Sequence, residues 1–297
     1  MTDTTIDFPN IGILGFGTMG AGIAQVFAAS GRHVIVLDTD QTRLDAGVAS
    51  VSAFLDDGIR RAKVTEQDKA EILGRIQATT AVSALYGVDA VVESVSENAE
   101  VKKAALIEVA GVVGADTPIL TNTSALSVTD LAAQLPNPGR VAGLHFFNPA
   151  PLMRTVEVVR ALQTAEDLVD RLVGLVDSLG GKDPVIVKDR PGFLVNALLM
   201  PYLNDVIGEL DDELATAEDI DLAVKLGLGY KTGPLELLDM IGLDVHLHAT
   251  EAAYAATLDP RYAAPPLLRQ MVAAGRLGNK SGDGFRTTAT TSDTEKN

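Results

Sequence analysis

The 297-residue chain contains no cysteine, so it has neither a disulfide framework nor a thiolate for covalent chemistry. Histidine is also scarce, with four residues and no closely spaced ligand cluster, which argues against a structural metal site. No uninterrupted apolar run approaches the roughly 20 residues that span a membrane. Residues 1–9 lack the basic-then-apolar order of a signal peptide. These absences predict a cytoplasmic protein without a membrane partner.

Positive charge is in deficit as well. The chain has 24 Lys and Arg residues against 40 Asp and Glu residues, which gives a net charge of −16. A chain this acidic is repelled by nucleic acid, so we expect no nucleic-acid partner, and an anionic substrate would need a local basic patch. With 46% hydrophobic residues, the chain has enough apolar material for a sizeable core, and its length suits two domains.

One stretch near the N-terminus carries a strong motif. The apolar run Ile11–Leu14 leads into a glycine turn that is spaced G-x-G-x-x-G and opens a helix. A second apolar run, Val34–Leu37, follows and ends on Asp38. Strand, glycine turn, helix and an acidic residue that closes the next strand form the order of a dinucleotide-binding βαβ unit. The candidate cofactor-binding residues of the turn are Gly15, Gly17, Thr18, Met19 and Gly20.

Asp38 indicates which dinucleotide binds. Its carboxylate can accept hydrogen bonds from ribose hydroxyls and would repel a 2′-phosphate, so the sequence favours NAD over NADP. Arg32 and Arg43 are near it in the sequence and leave NADP open as an alternative.

The apolar runs predict a Rossmann-type α/β domain followed by an all-α C-terminal domain. Strands alternate with helices as in a doubly wound sheet. The predicted strands are Ile11–Leu14, Val34–Leu37, Ile76–Ala81, Ala90–Val95, Ile119–Thr121, Val141–Phe147, Thr155–Val159 and Pro184–Lys188. The pattern changes at residues 189–192. The helices predicted after that point are Leu194–Leu210, Ala217–Leu226, Leu235–Leu258 and Pro266–Ala274. We therefore expect a dinucleotide-binding domain over residues 1–188, a helical domain over 189–285 and a disordered tail over 286–297.

Polar residues follow three of the predicted strands, in segments 93–98, 121–124 and 145–149. Ligands of open α/β sheets bind beyond the carboxyl ends of the strands, so we expect these segments to share one crevice. His145 ends one of these strands, close to Asn148, and is the candidate for proton transfer. The other histidines lack such a setting and are interpreted as structural or surface residues: His33, His246 and His248.

Together, several blocks resemble the L-3-hydroxyacyl-CoA dehydrogenase family, most of all its bacterial 3-hydroxybutyryl-CoA branch. They run in family order from about residue 10 to 285. The blocks are Gly15–Gly20, Asn122–Ser124, His145–Met153, Val156–Val159, Pro191–Asn196, Lys225–Gly227 and Gly278–Phe285.

The resemblance implies oxidation of the 3-hydroxyl of a short-chain acyl-CoA, with hydride transfer to NAD. It implies that His145 is the base and Glu157 its partner carboxylate. Ser124 and Asn196 match contacts to the substrate oxygen, and Asn148 matches a further polar residue near the cofactor and substrate. For Glu157 the alternative is a glutamate that faces solvent, and for Ser124 it is a helix N-cap.

The resemblance implies further contacts to both ligands. Glu97 and Lys102 match family positions near the nicotinamide and its ribose, and Asn122 belongs to the same cofactor-binding set. Alternatively, Glu97 favours the first turn of a helix and Lys102 is a surface residue. Arg61 and Lys63 fall where the family contacts CoA phosphates, although a solvated helix end explains them nearly as well.

Members of the family usually dimerise through the helical domain, so the resemblance also implies a homodimer. One alternative is a hydroxy-acid or sugar-acid dehydrogenase of the same fold that does not use CoA. Another is a dinucleotide-binding protein without turnover. The joint presence of His145, Glu157, Ser124 and Asn196 argues against the second alternative, because binding alone needs none of them.

Overall fold

The computed structural model describes residues 8–286. The chain divides into two compact units, Met1–Phe193 and Leu194–Asn297, shortly after the change of pattern at residue 189. Residues 287–297, most of the predicted tail, lie outside the described residues. Arg286 is described, and its backbone N–H donates to the Asp239 carboxylate at 3.0 Å.

The first unit is built on an eight-stranded sheet, which confirms the predicted α/β architecture. The strands are β1 (Asn10–Leu14), β2 (His33–Leu37), β3 (Ile76–Thr79), β4 (Ala90–Glu93), β5 (Ile119–Thr121), β6 (Val141–Phe146), β7 (Thr155–Arg160) and β8 (Asp183–Lys188). Their order across the sheet is β3-β2-β1-β4-β5-β6-β7-β8. The first six are mutually parallel, whereas β7 runs antiparallel to β6, and β8 is parallel to β7.

Helices cover both faces of this sheet. They are α1 (Thr18–Ala29), α2 (Gln41–Arg60), α3 (Glu66–Gly74), α4 (Ala99–Ala110), α5 (Val128–Ala132) and α6 (Glu166–Asp177). In β4, Ala90 and Val92 belong to the apolar layer beneath α1, α2 and α6, and Val91 belongs to the layer beneath α4 and α5. A strand that is buried on both faces reads as a continuous apolar run, which is why these strands could be predicted.

The second unit is helical, as predicted. It contains α7 (Val195–Asp211), α8 (Ala217–Leu228), α9 (Pro234–Ile241), α10 (Leu243–Thr257) and α11 (Pro266–Ala273). Leu203, Leu235, Leu243 and Leu268 are fully buried in its core.

The prediction of one helix from Leu235 to Leu258 is wrong. Gly242 separates α9 from α10, with a backbone φ of 99° that L side chains rarely adopt and that interrupts a helix. The other predicted strands and helices are present, with ends that differ by a few residues. Within residues 8–286, no helix is both long enough and apolar enough to cross a membrane.

Candidate active site

A cleft of about 830 Å³ lies in the first unit at the carboxyl ends of the parallel strands. It joins the three polar segments that the sequence places after strand ends. The predicted site residues that line it are Gly15, Gly17, Thr18, Met19, Asp38, Glu97, Lys102, Asn122, Ser124, His145 and Asn148.

The glycine turn has the shape that a diphosphate needs. Gly15 has a φ of 90°, and a Cβ there would lie 2.6 Å from the carbonyl oxygen of Ser94. A Cβ on Gly20 would collide with the carbonyl oxygen of Gly15, whereas one on Gly17 would meet no described atom within 4 Å. In the described chain, α1 has no side-chain cap and no acidic residue in its first turn. Its N-terminal N–H groups can therefore receive an anion above the open space at Gly17.

Asp38 lies at the end of β2 and lines the cleft beside this turn. Its carboxylate accepts hydrogen bonds from the backbone N–H groups of Phe16 and Thr39, each at 2.7 Å. The Thr39 hydroxyl donates a third bond at 3.2 Å. Because a carboxylate has about four acceptor positions, Asp38 can still accept a bond from a ribose hydroxyl.

Arg32 and Arg43, whose sequence positions keep NADP as an alternative cofactor, lie in different environments. Arg32 is buried and donates to the hydroxyls of Ser30 and Ser178, so it is not available to a 2′-phosphate. Arg43 lines the cleft and pairs with Asp40 at 3.4 Å.

His145 and Glu157 form a buried pair on neighbouring strands. The antiparallel register of β6 and β7 places the two residues directly opposite each other. His145 Nδ1 lies 2.7 Å from Glu157 Oε2, and the Glu157 side chain is wholly buried. The alternative that Glu157 faces solvent is therefore wrong. The rings of Phe147 and Phe193 pack against the imidazole, with centroids 4.5 and 5.5 Å away.

Lys102 is the centre of a second buried cluster. Only 1% of its surface is exposed, which excludes the surface interpretation. Its ammonium lies 2.7 Å from Glu93 Oε1 and 3.2 Å from Glu97 Oε2. Glu93 also accepts bonds from the Thr121 hydroxyl and the Val95 N–H, both at 2.7 Å. The sequence interpretation assigned no role to Glu93; the available signal was a carboxylate at the end of an otherwise apolar strand.

Glu97 shapes the turn that carries Ser124. Its carboxylate accepts bonds from the Thr123 hydroxyl and from the Ser124 N–H at 3.0 Å. Burial acts to raise the pKa of Glu97, but the Lys102 ammonium and these donors together hold it below its usual value. The N-cap interpretation of Ser124 is wrong, because Ser127 caps α5 by accepting from the Asp130 N–H.

Asn122 and Asn148 occupy different parts of the site. The side-chain amide oxygen of Asn122, Oδ1, accepts a bond from the Phe146 N–H at 2.8 Å, which joins the end of β5 to the end of β6. Asn148 is exposed in the cleft, three residues after His145.

Five predicted site residues do not line this cleft: Gly20, Glu157, Arg61, Lys63 and Asn196. Arg61 follows α2 and pairs with Asp57 at 2.8 Å, and Lys63 is exposed nearby. Asn196 belongs to the second unit, where it lies in the first turn of α7 and is half-buried.

A glycine turn built for a diphosphate, in the same cleft as a buried histidine–carboxylate pair, defines a dinucleotide-dependent dehydrogenase. Residues 10–190 match the family model for the NAD-binding domain of 3-hydroxyacyl-CoA dehydrogenase, and residues 192–288 match the one for its C-terminal domain. The chain therefore belongs to the 3-hydroxyacyl-CoA dehydrogenase family and is an NAD-dependent oxidoreductase.

Individual relatives agree with this assignment. The crystal structure of (S)-3-hydroxybutyryl-CoA dehydrogenase from Ralstonia eutropha superposes with a TM-score of 0.90 at 43% identity, covering 94% of this chain and 98% of that one. The 3-hydroxybutyryl-CoA dehydrogenase of Mycobacterium tuberculosis is 40% identical over 278 residues, which are 93% of this chain and 97% of the relative. The 3-hydroxyadipyl-CoA dehydrogenase of Escherichia coli is 42% identical over 280 residues, 94% of this chain, but the chain spans only 59% of that longer relative.

Proposed function

We propose that this chain interconverts short-chain L-3-hydroxyacyl-CoA and 3-ketoacyl-CoA, with 3-hydroxybutyryl-CoA as the preferred alcohol. The observation that carries the proposal is the buried His145–Glu157 pair in the cleft that also contains the glycine turn. The relatives from R. eutropha and M. tuberculosis, which this chain covers almost entirely, are named 3-hydroxybutyryl-CoA dehydrogenases. These names support a short acyl chain.

His145 acts as the general base for oxidation. Its Nδ1 is directed at Glu157, so Nε2 is the nitrogen that takes the proton of the 3-hydroxyl. NAD, when bound, accepts the hydride that leaves C3 as the carbonyl forms. Glu157 fixes the orientation of the ring and stabilises the imidazolium that results. In the reductive direction, the same imidazolium returns its proton to the new alkoxide.

Polar side chains hold the reacting oxygen. We assign this role to the Ser124 hydroxyl and to Asn148, which line the same cleft, and, on the family resemblance, to the Asn196 amide. Donors of this kind stabilise the charge that develops on a carbonyl oxygen during reduction. The Glu97 carboxylate supports Ser124 because it holds the backbone N–H of that residue.

The remaining lining residues suit the cofactor. Asp38 would accept a bond from the adenosine ribose, and the diphosphate would lie at the N-terminus of α1 beside Gly15, Gly17, Thr18 and Met19. Gly20 lies in the first turn of that helix. A largely apolar recess of about 290 Å³, which includes Leu14, Leu37 and Val109, adjoins Asp38 and suits the adenine. Glu97 and Lys102 are the groups for the nicotinamide ribose, with Asn122 next to them.

Two proposals concern partners beyond the cleft. Arg61 and Lys63 would bind CoA phosphates, and the exposed ammonium of Lys63 supports this more than Arg61 does, since Arg61 already pairs with Asp57. A homodimer would form through the helical unit, which exposes large apolar side chains at Leu198, Leu222, Leu226 and Met240. Light scattering tests the dimer, and a cytoplasmic location stays a prediction from the sequence.

The deciding experiment follows NADH absorbance with acetoacetyl-CoA, and repeats the assay with NADPH and with free acetoacetate. We expect oxidation of NADH with acetoacetyl-CoA, and no oxidation with NADPH or with free acetoacetate. Loss of NADH only with a free keto acid would move the enzyme to the CoA-independent class, and no oxidation under any condition would favour a binding protein without turnover.

A further inference from the structure

Lys182 is a buried cation that takes no part in the proposed cofactor and substrate contacts. It follows the turn at Gly180 and Gly181 and immediately precedes β8, and only 7% of its surface is exposed. Within residues 8–286, no carboxylate pairs with its ammonium, and burial lowers the pKa of Lys182 accordingly. A buried charge without a counter-ion is costly, so it requires other compensation.

Backbone carbonyls provide that compensation. The Lys182 ammonium donates to the oxygens of Ala150 and Met153, each at 2.6 Å, and to that of Pro151 at 3.3 Å. An ammonium has three donors, so these three carbonyls satisfy it. All three acceptors belong to the segment that leaves β6 after His145, which we call the β6–β7 loop (residues 147–154).

The same loop also contacts α1. A Cβ on Gly22 would lie 3.2 Å from the Ala150 Cβ and 3.2 Å from the Pro151 Cδ, so helix and loop are in close contact. The loop also has an internal turn, in which the N–H groups of Leu152 and Met153 donate to the Pro149 carbonyl. The loop is therefore held by its contact with α1, by its internal turn and by the Lys182 ammonium.

The N-terminal half of the loop reaches the active site. Phe147 packs on the His145 ring, and both Phe147 and Asn148 line the cleft. We propose that Lys182 is a positioning residue that holds the β6–β7 loop so that Asn148 meets the substrate. This inference rests on the proposed function of Asn148, and Lys182 itself touches no reacting atom.

The test is a double-mutant cycle with acetoacetyl-CoA and NADH. Lys182→Met removes the charge and all three donors, and we expect kcat/KM to fall about 10- to 100-fold, because small displacements of positioned groups cost this much. Asn148→Ala should cause a similar loss. If Lys182 acts through Asn148, the kcat/KM of the double variant should be less than about threefold below that of Asn148→Ala.

The matched control is Arg154→Met, which removes a cation from the same loop. Arg154 is exposed, and within residues 8–286 its side chain bonds only the Asp183 carboxylate, so kcat/KM should stay within about twofold of wild type. Should Lys182→Met fail to fold, Lys182→Arg replaces it in the cycle. That variant keeps the charge, but a planar guanidinium cannot match all three carbonyls.

Amide hydrogen exchange gives a readout that does not depend on turnover. Exchange in residues 150–153 should accelerate in Lys182→Met and stay unchanged in Arg154→Met. Each of three results would overturn the inference. The first is a double variant in which the two losses in kcat/KM multiply fully. The others are unchanged exchange in this loop and wild-type activity of Asn148→Ala. A wild-type protein that oxidises no NADH would contradict the proposed function instead, and the exchange measurement would still test how Lys182 holds the loop.

Discussion

Two histidines of this chain are equally buried but have different partners. His145 in the sheet is 4% exposed, and His246 in the helical unit is 3% exposed. His145 Nδ1 faces a carboxylate, Glu157 Oε2, at 2.7 Å. His246 Nε2 faces an amide, Asn204 Oδ1, at 3.0 Å.

The partner decides what each imidazole can do. Burial lowers the pKa of His246 to about 4, because the amide brings no charge to stabilise an imidazolium. His246 is therefore neutral at physiological pH and serves to connect helices: Asn204 on α7 also donates to the Thr250 hydroxyl on α10. At His145 the Glu157 carboxylate is placed to stabilise the imidazolium that forms when the ring takes the proton of the substrate. Burial alone therefore does not distinguish the proposed base from a histidine that connects helices.

We expect the largest effect from removal of the His145 imidazole. His145→Ala should lower kcat with acetoacetyl-CoA by about 10³- to 10⁴-fold, because no other group of the cleft replaces the acid and base. NADH affinity, measured by fluorescence titration, should remain close to wild type. His248→Gln, which changes an exposed histidine of α10, is the control and should keep full activity. Turnover within tenfold of wild type in His145→Ala would show that the base is another residue.

A second variant makes the setting of His145 resemble that of His246. Glu157→Gln keeps the shape of the side chain but replaces the carboxylate by an amide. We expect kcat to fall about 10²-fold, since the imidazolium loses its counter-charge. The dissociation constant for NADH should change little, which equilibrium titration can check. A kcat within threefold of wild type would mean that the charge of Glu157 does not matter to the reaction.

The sequence separated His145 from His246 by its position at a strand end and by the family resemblance, but the residue pattern alone could not give the geometry of either pair. Buried parallel strands read as apolar runs, so β1, β4 and β5 were predictable, and the glycine spacing located the cofactor turn. Periodicity carries no information on strand direction, however. Only the antiparallel register of β6 and β7 places Glu157 opposite His145, and this register was not foreseen.

Other features were missed because they depend on pairing across the fold. Glu93 and Lys102 are nine positions apart, on a strand and a helix, and only the folded chain makes them a buried ion pair. Lys182 resembles any surface lysine in the sequence, since its partners are backbone carbonyls, which have no sequence signature. The break at Gly242 was missed because the apolar pattern continues through it into α10.

The helical unit should reveal its neutral histidine through acid sensitivity. The pKa of His246 is about 4 in the folded chain, against an ordinary value of 6.5. Between these two pH values the imidazole is protonated in the unfolded chain and neutral in the folded chain. Stability from this group is complete above pH 6.5 and is lost as the pH falls toward 4, by about 3 kcal/mol in total. Urea unfolding at several pH values measures this loss.

The readout and the control for this prediction both come from the chain itself. Four of the five tyrosines (Tyr202, Tyr230, Tyr254 and Tyr262) lie in the helical unit and there is no tryptophan, so tyrosine fluorescence reports mainly on that unit. His246→Gln should flatten the acid slope, whereas His248→Gln on the same helix should leave it as in wild type. An equal slope in His246→Gln and wild type would contradict the assignment of a neutral, buried His246.

The smallest expected effect comes from giving His246 the kind of partner that His145 has. Asn204→Asp places a carboxylate at the position of the amide, and the pKa of His246 should rise from about 4 toward neutrality. The change sacrifices the bonds that the Asn204 amide donates to Thr250 and to the Arg261 carbonyl, so we expect lower stability at pH 7. That deficit should shrink at pH 5, where the imidazolium forms beside the new carboxylate. Histidine Cε1 NMR resonances report the pKa directly, because only four histidines need assignment. A pKa that stays near 4 in Asn204→Asp would mean that burial outweighs the partner, and the contrast drawn between the two histidines would fail.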